Sequence, residues 1–123
     1  MITEDYVSFE TAKLLKEKGF KEITQGYINT DKEIYMLPFQ QGMYELGNKQ
    51  YLYPTLQMAM KWLRKIYSLE IYPYHDFPKV GDKWWFEIIK YPNTVSEYES
   101  ETVYNSYEEA CEAAIKYCLE NLI

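Results

Sequence analysis

The sequence predicts an α+β fold: a mostly antiparallel sheet in the element order α-β-β-α-β-β-β-α, with three helices packed on one face. Three observations carry this. Apolar residues recur with helical period in three separated segments, the period drops to two between them, and the links between neighbouring strands are short. Parallel strands need crossovers of a dozen or more residues, so links of this length require antiparallel pairing. At 123 residues, with 47% apolar and 26% charged side chains, the chain reads as a single globular domain spanning 1–123.

The first helix is expected over about 9–18, with Phe9, Ala12 and Leu15 toward the core and Gly19 supplying a left-handed stop. Strands follow at 22–28 and 33–37. Between them Asn29-Thr30-Asp31-Lys32 has turn composition, which makes the pair a hairpin. Stretch 38–52 carries Gly42 and Gly47 and has no clear period, although Gln50 to Tyr53 can add a short strand. The second helix, about 55–68, places Leu56, Ala59, Met60, Leu63, Ile66 and Tyr67 on one stripe, with Met58 and Trp62 widening it.

Strands at 69–74, 83–91 and about 95–104 then form a meander, the last two turning at Pro92-Asn93-Thr94. The closing helix, about 107–121, aligns Tyr107, Ala110, Cys111, Ala114, Cys118 and Leu122. Each helix start repeats a Tyr-x-Ser/Thr-x-x-x-Ala pattern at Tyr6, Tyr53 and Tyr104. The hydroxyls of Ser8, Thr55 and Ser106 are natural N-caps, and Ser106 with Glu109 makes a capping box. The pattern reads either as an internal duplication or as three independent ways of starting a helix.

Composition removes several classes of function. Thirteen basic against nineteen acidic residues leave a net charge of −6, which repels phosphate backbones, so no nucleic-acid partner is expected. Lys61, Arg64 and Lys65 read as the solvated side of the second helix. No run approaches the ~20 apolar residues that span a bilayer, and the acidic start Met1-Ile2-Thr3-Glu4-Asp5 is unlike a leader, so a cytoplasmic protein without membrane contact is expected. Cys111 and Cys118 lie seven residues apart on one helix, ~10 Å between Cα atoms and beyond disulfide reach, and read as small core residues.

Candidate chemistry is sparse. The single histidine, His75, lies in Tyr72-Pro73-Tyr74-His75-Asp76-Phe77-Pro78, a proline-rich segment expected to be a loop. As a general base it would need Asp76 to orient it, but chain neighbours rarely present side chains to each other, and no nucleophile motif accompanies it. Glu97, Glu99 and Glu101 alternate on one predicted strand and project from a single face, where they read as solvated, edge-protecting charges rather than a metal site. Phosphate loops, dinucleotide fingerprints, zinc spacings and nucleophile elbows are all missing from the sequence, so no catalytic residue, metal or cofactor is assigned.

The feature that stands out is aromatic: 14 Tyr, 5 Phe and 3 Trp. Along 83–91, Trp84, Phe86 and Ile88 point one way and Trp85, Glu87, Ile89 and Tyr91 the other, so both faces carry large apolar groups. With helices on one side only, a tryptophan is left at the surface. Tyr72, Tyr74 and His75 on the neighbouring segment extend that surface, and Tyr72, Tyr74, His75, Trp84 and Trp85 are therefore the candidate binding residues. Alternatively, stretch 38–52 or a second copy of the chain covers this face.

The Pro54-Thr55-Leu56-Gln57-Met58-Ala59-Met60-Lys61-Trp62-Leu63-Arg64 helix, the Trp84-Trp85-Phe86-Glu87-Ile88-Ile89 strand and the Tyr104-Asn105-Ser106-Tyr107-Glu108-Glu109-Ala110 helix start carry a likeness. Over 53–123 the chain resembles small uncharacterised proteins of phages and mobile elements of anaerobic gut bacteria. That resemblance implies a setting and no activity: an accessory protein that binds a macromolecule. The expected function is thus non-catalytic protein binding through an aromatic surface, with a homodimer as first candidate. The competing expectation is a small-molecule binder or motif-free enzyme with a pocket near His75.

Overall fold

The computed structural model describes residues 3–22, 24–36, 47–76, 83–93 and 95–123. The fold is α+β in the expected order. Helix α1 spans Phe9–Glu17, strands β1 (Gly26–Asn29), β2 (Ile34–Met36) and β3 (Gln50–Leu52) follow, and then come α2 (Leu56–Tyr67), β4 (Leu69–Asp76), β5 (Lys83–Lys90), β6 (Val95–Glu99) and α3 (Tyr107–Tyr117). A π-helical turn, Cys118–Leu122, extends α3.

Every pairing is antiparallel, yet the strands form two sheets, β2-β1-β3 and β4-β5-β6, rather than one. The reason is Gln50–Leu52: this short strand pairs with β1, so the first hairpin completes its own sheet. Most of stretch 38–52 and part of the segment after Asp76 lie outside the described residues.

Local chemistry starts each helix as its sequence requires. Ser8 Oγ accepts from Thr11 N at 3.2 Å, Thr55 Oγ1 from Met58 N at 3.1 Å and Ser106 Oγ from Glu109 N at 3.1 Å. The capping box at α3 is displaced by one residue, because Glu109 accepts from Asn105 N at 3.0 Å rather than from the cap itself. Gly19 ends α1 at φ +88°, where a Cβ would be strained. Asn29 closes the first hairpin by accepting from Asp31 N and Glu33 N at 3.0 and 2.9 Å.

The first two Tyr-x-Ser/Thr starts pack on each other. The Tyr6 and Tyr53 rings stack at 4.8 Å, Val7 N donates to Pro54 O at 3.1 Å, and Leu56 N donates to Asp5 O at 2.9 Å. Tyr104, the third, instead exchanges both backbone hydrogen bonds with Trp84.

One core joins both sheets and all three helices, with Leu15, Leu63, Phe86, Ile88, Ile115 and Leu119 among its fully buried members. Helix α3 packs on β4 and β5, α2 on β4, and α1 on β3. One expectation for α2 changes, that for Ile66, while Trp62 widens the buried stripe as expected. Ile66 is 58% exposed, whereas Trp62 is buried at 6% between the Phe20 and Tyr67 rings, 5.4 and 5.3 Å away. The two lie four residues apart on the same side of the helix, so what separates them is their cover: the Phe20 and Tyr67 rings close over Trp62.

Glu112 of α3 ties the two ends of the chain. Its carboxylate accepts from Ser8 N at 2.7 Å, from Ser8 Oγ at 3.3 Å and from the hydroxyl of the fully buried Thr11. It thereby places a negative charge on the N-terminus of α1, where the helix dipole favours it. Glu112→Ala strands a backbone donor and a buried hydroxyl and is expected to cost about 1–3 kcal/mol in urea denaturation. A change below about 0.5 kcal/mol would show that water replaces these bonds without loss.

Candidate functional site

Strand β5 is the centre of the second sheet, and its alternation sorts the candidate residues onto two faces. Paired with β4, it sets Trp84 opposite His75, Trp85 opposite Tyr74, Phe86 opposite Pro73, Glu87 opposite Tyr72 and Ile88 opposite Ile71. Phe86, Ile88 and Ile71 are buried beneath the helices, so Trp85, Tyr74 and Tyr72 belong to the outer face. The five candidates therefore do not form one surface: Tyr72, Tyr74 and Trp85 share the outer face, and His75 and Trp84 lie on the helix side.

His75 belongs to strand β4, not to a loop. The strand accepts Pro73 because β4 is the edge of its sheet in the order β4-β5-β6, where one side of the backbone needs no ladder partner. Its imidazole stacks on Trp84 at 4.7 Å with 16° between planes, and the Tyr107 ring meets that indole edge-on at 5.4 Å. Trp84 is half-buried and, like Trp85, is not among the side chains packed against the core; the exposed His75 ring lies over it. The side chain of Asp76 and residues 77–82, which the proposed pocket near His75 would need, lie outside the described residues.

On the outer face, Tyr74 stacks on Trp85 with centroids 4.4 Å apart and 19° between planes. The Tyr72 and Tyr91 hydroxyls bond each other, and this bond, ahead of desolvation, pushes the Tyr72 phenol up to about 12. Ile89, opposite Glu70 on the same face, is half-buried. Tyr72, Trp85 and Ile89 belong neither to the buried core nor to the apolar side chains packed against it. Among the described residues, no helix or second sheet lies over them.

Two carboxylates complete the face. Glu87 accepts from Ser96 Oγ at 2.9 Å and, at 3.4 Å, from the Tyr74 hydroxyl. Glu99 is its cross-strand partner. Desolvation first, then the Glu87 charge and hydrogen bond and the Glu99 charge, hold the Tyr74 phenol above its usual range, so it stays a neutral donor beside the pair.

The Glu99 position depends on a β-bulge. Ile89 pairs with Ser96 but Ile88 pairs with Tyr98, so Glu97 is the extra residue. The bulge breaks the expected alternation of Glu97, Glu99 and Glu101: β6 ends at Glu99, which shares a face with Ser96 and Glu87, and Glu101 lies beyond the strand. It also turns Tyr98 inward, where it stacks on Tyr117 of α3 at 3.7 Å. Sequence reading left Glu87, Ser96 and Tyr91 out of the candidate set; alternation along 83–91 already put Glu87 and Tyr91 beside Trp85, but nothing local announces the bulge.

A second acidic region lies across the molecule. Glu4, Asp5, Glu108, Glu109 and Glu112 line a shallow, open groove of about 430 Å³ floored by Tyr6, Tyr53 and Leu56. Glu109 and Glu112 are spent there as helix caps, which accounts for their placement without a ligand. Among the described residues, no helix is long and apolar enough to cross a membrane, and no group of three or more His, Cys, Asp or Glu side chains is placed to hold a metal ion. Comparison with protein-family models, curated proteins and solved structures returned no match.

Proposed function

We propose that this protein is a non-catalytic binding module that docks another protein on the outer face of β4-β5-β6. The observation that carries this reading is the Tyr74–Trp85 stack with Ile89 and the Tyr72–Tyr91 pair beside it: large rings with polar tips, off the core, gathered on one face of β4 and β5. Tyr and Trp supply much contact area for little loss of conformational freedom, which is why they anchor interfaces. Read with the resemblance over 53–123, the role is that of an accessory protein of a mobile element.

A second copy, like any whole folded domain, fits this face less well than a short segment of a different protein. Three strands about 14 Å wide and five to eight residues, about 17–26 Å, long give a flat area well short of the ~800 Å² per partner that a stable dimer needs. Isologous docking would also bring two Glu87–Glu99 pairs toward each other.

Selection from a displayed library of random 12-residue peptides tests the reading. Binders are expected that lose at least ten-fold in affinity on Trp85→Ser and keep it on Ile66→Ser, a substitution of an exposed apolar residue elsewhere. If every selected binder tolerates Trp85→Ser, this face is not the docking surface.

A further inference from the structure

Like charges directly opposite each other across two strands are unfavourable, and folded chains rarely place them so without a counter-charge. Glu87 and Glu99 stand in that relation on the outer face, and neither has an ion pair among the described residues. Of the cations at the borders, Arg64 bonds Glu70 at 3.1 Å, Lys83 bonds Asn105, and Lys90, at the far end of β5, makes no ion pair with either carboxylate. Beside the two carboxylates stand the stacked rings of Tyr74 and Trp85, with the Tyr74 hydroxyl turned to Glu87. A ring face next to unpaired carboxylates suits a guanidinium or ammonium group, which the ring quadrupole and the anions attract together.

We propose that the outer face of β4-β5-β6 receives a short basic segment of a partner protein, one arginine or lysine of which seats against the Tyr74–Trp85 stack and between Glu87 and Glu99. The inference rests on the reading that this face docks a protein, and it adds the chemistry of the occupant. Area and charge both select it. The face matches a segment of a few residues rather than a whole domain, and its carboxylates repel a second copy of a chain that itself carries a net charge of −6. Tyr72, with its hydroxyl tied to Tyr91, offers a fixed apolar wall for the neighbouring side chain of the segment.

The test uses the 12-residue peptides selected on the wild-type protein, remade as synthetic peptides with each arginine replaced by citrulline and each lysine by norleucine. Expected is an excess of basic residues among the winners, with about ten-fold weaker binding after these replacements. The same loss is expected on the Glu87→Gln/Glu99→Gln protein, whose fold is checked by circular dichroism. The Glu17→Gln/Glu22→Gln protein, which loses the same charge from the other side of the chain, should bind as wild type. Trp85-dependent peptides that lack basic residues, or that ignore the Glu87/Glu99 change, would overturn the inference while leaving protein docking intact. Equal loss on the Glu17/Glu22 control would reduce the effect to net charge and overturn it too. Absence of any Trp85-dependent peptide overturns both readings. A dimer in sedimentation that Trp85→Ser dissociates puts a second copy on this face and overturns the basic occupant alone.

Discussion

Phe86→Ala is expected to remove about 3–5 kcal/mol of stability, whereas Trp85→Ala, one residue earlier and larger by volume, should cost only about 1–2 kcal/mol. Phe86 is 2% exposed and packs between the Tyr98 and Tyr104 rings, with centroids 5.8 and 6.0 Å away, so its loss opens a cavity that the neighbouring strands cannot close. Trp85 lies outward and forfeits mainly its stack on Tyr74 and its cross-strand contacts. Urea denaturation of the two variants separates the faces directly. Equal losses would mean that the outer face is packed as tightly as the inner one, and the proposed docking surface would lose its basis.

The second large effect is alkaline. Cys111 and Cys118 are fully buried free thiols, and desolvation pushes them up to about 11 and about 12, the Tyr107 hydrogen bond offsetting part of the shift at Cys111. Below about pH 8.5 both are neutral in the folded and the unfolded chain, and their contribution to stability is complete. Above that value the unfolded chain releases its thiol protons while the folded chain keeps them. The unfolded state then binds fewer protons, and stability falls as pH rises toward the folded values.

Between pH 9 and 11 the combined loss should be on the order of several kcal/mol. Raised tyrosines such as Tyr72 act in the same direction, so the comparison with Cys111→Ala/Cys118→Ala isolates the thiols: the double variant should show a flatter alkaline limb. Identical limbs would mean that neither thiol keeps its proton on folding. The same burial predicts that neither cysteine reacts with an aromatic disulfide reagent at pH 8 until the protein unfolds.

The residues that announced themselves in the sequence are those whose behaviour is settled within one turn of chain. Ser8, Thr55 and Ser106 cap helices because their hydroxyls reach a backbone donor three residues on, and Gly19 and Asn29 end or turn the chain for equally local reasons. The alternation that puts Trp85 and Phe86 on opposite faces is a property of any strand. Element order and antiparallel pairing followed from such rules alone.

What they did not contain were the choices made between distant segments. Trp62 and Ile66 lie one turn apart on the same side of α2, and only the packed molecule decides that Phe20 and Tyr67 cover the first while the second stays 58% exposed. Pro73 and His75 read as loop until β4 is known to be an edge, where a missing donor costs little. The extra residue at Glu97 is the clearest case. With an uninterrupted ladder from Lys90 and Val95, Tyr98 would fall opposite Glu87 on the outside; the bulge shifts the register by one, buries Tyr98 against Tyr117 and brings Glu99 to Glu87. Capping and alternation are written in neighbouring residues, but a register is chosen by the energy of side chains that meet only once the strands have paired and α3 packs on them.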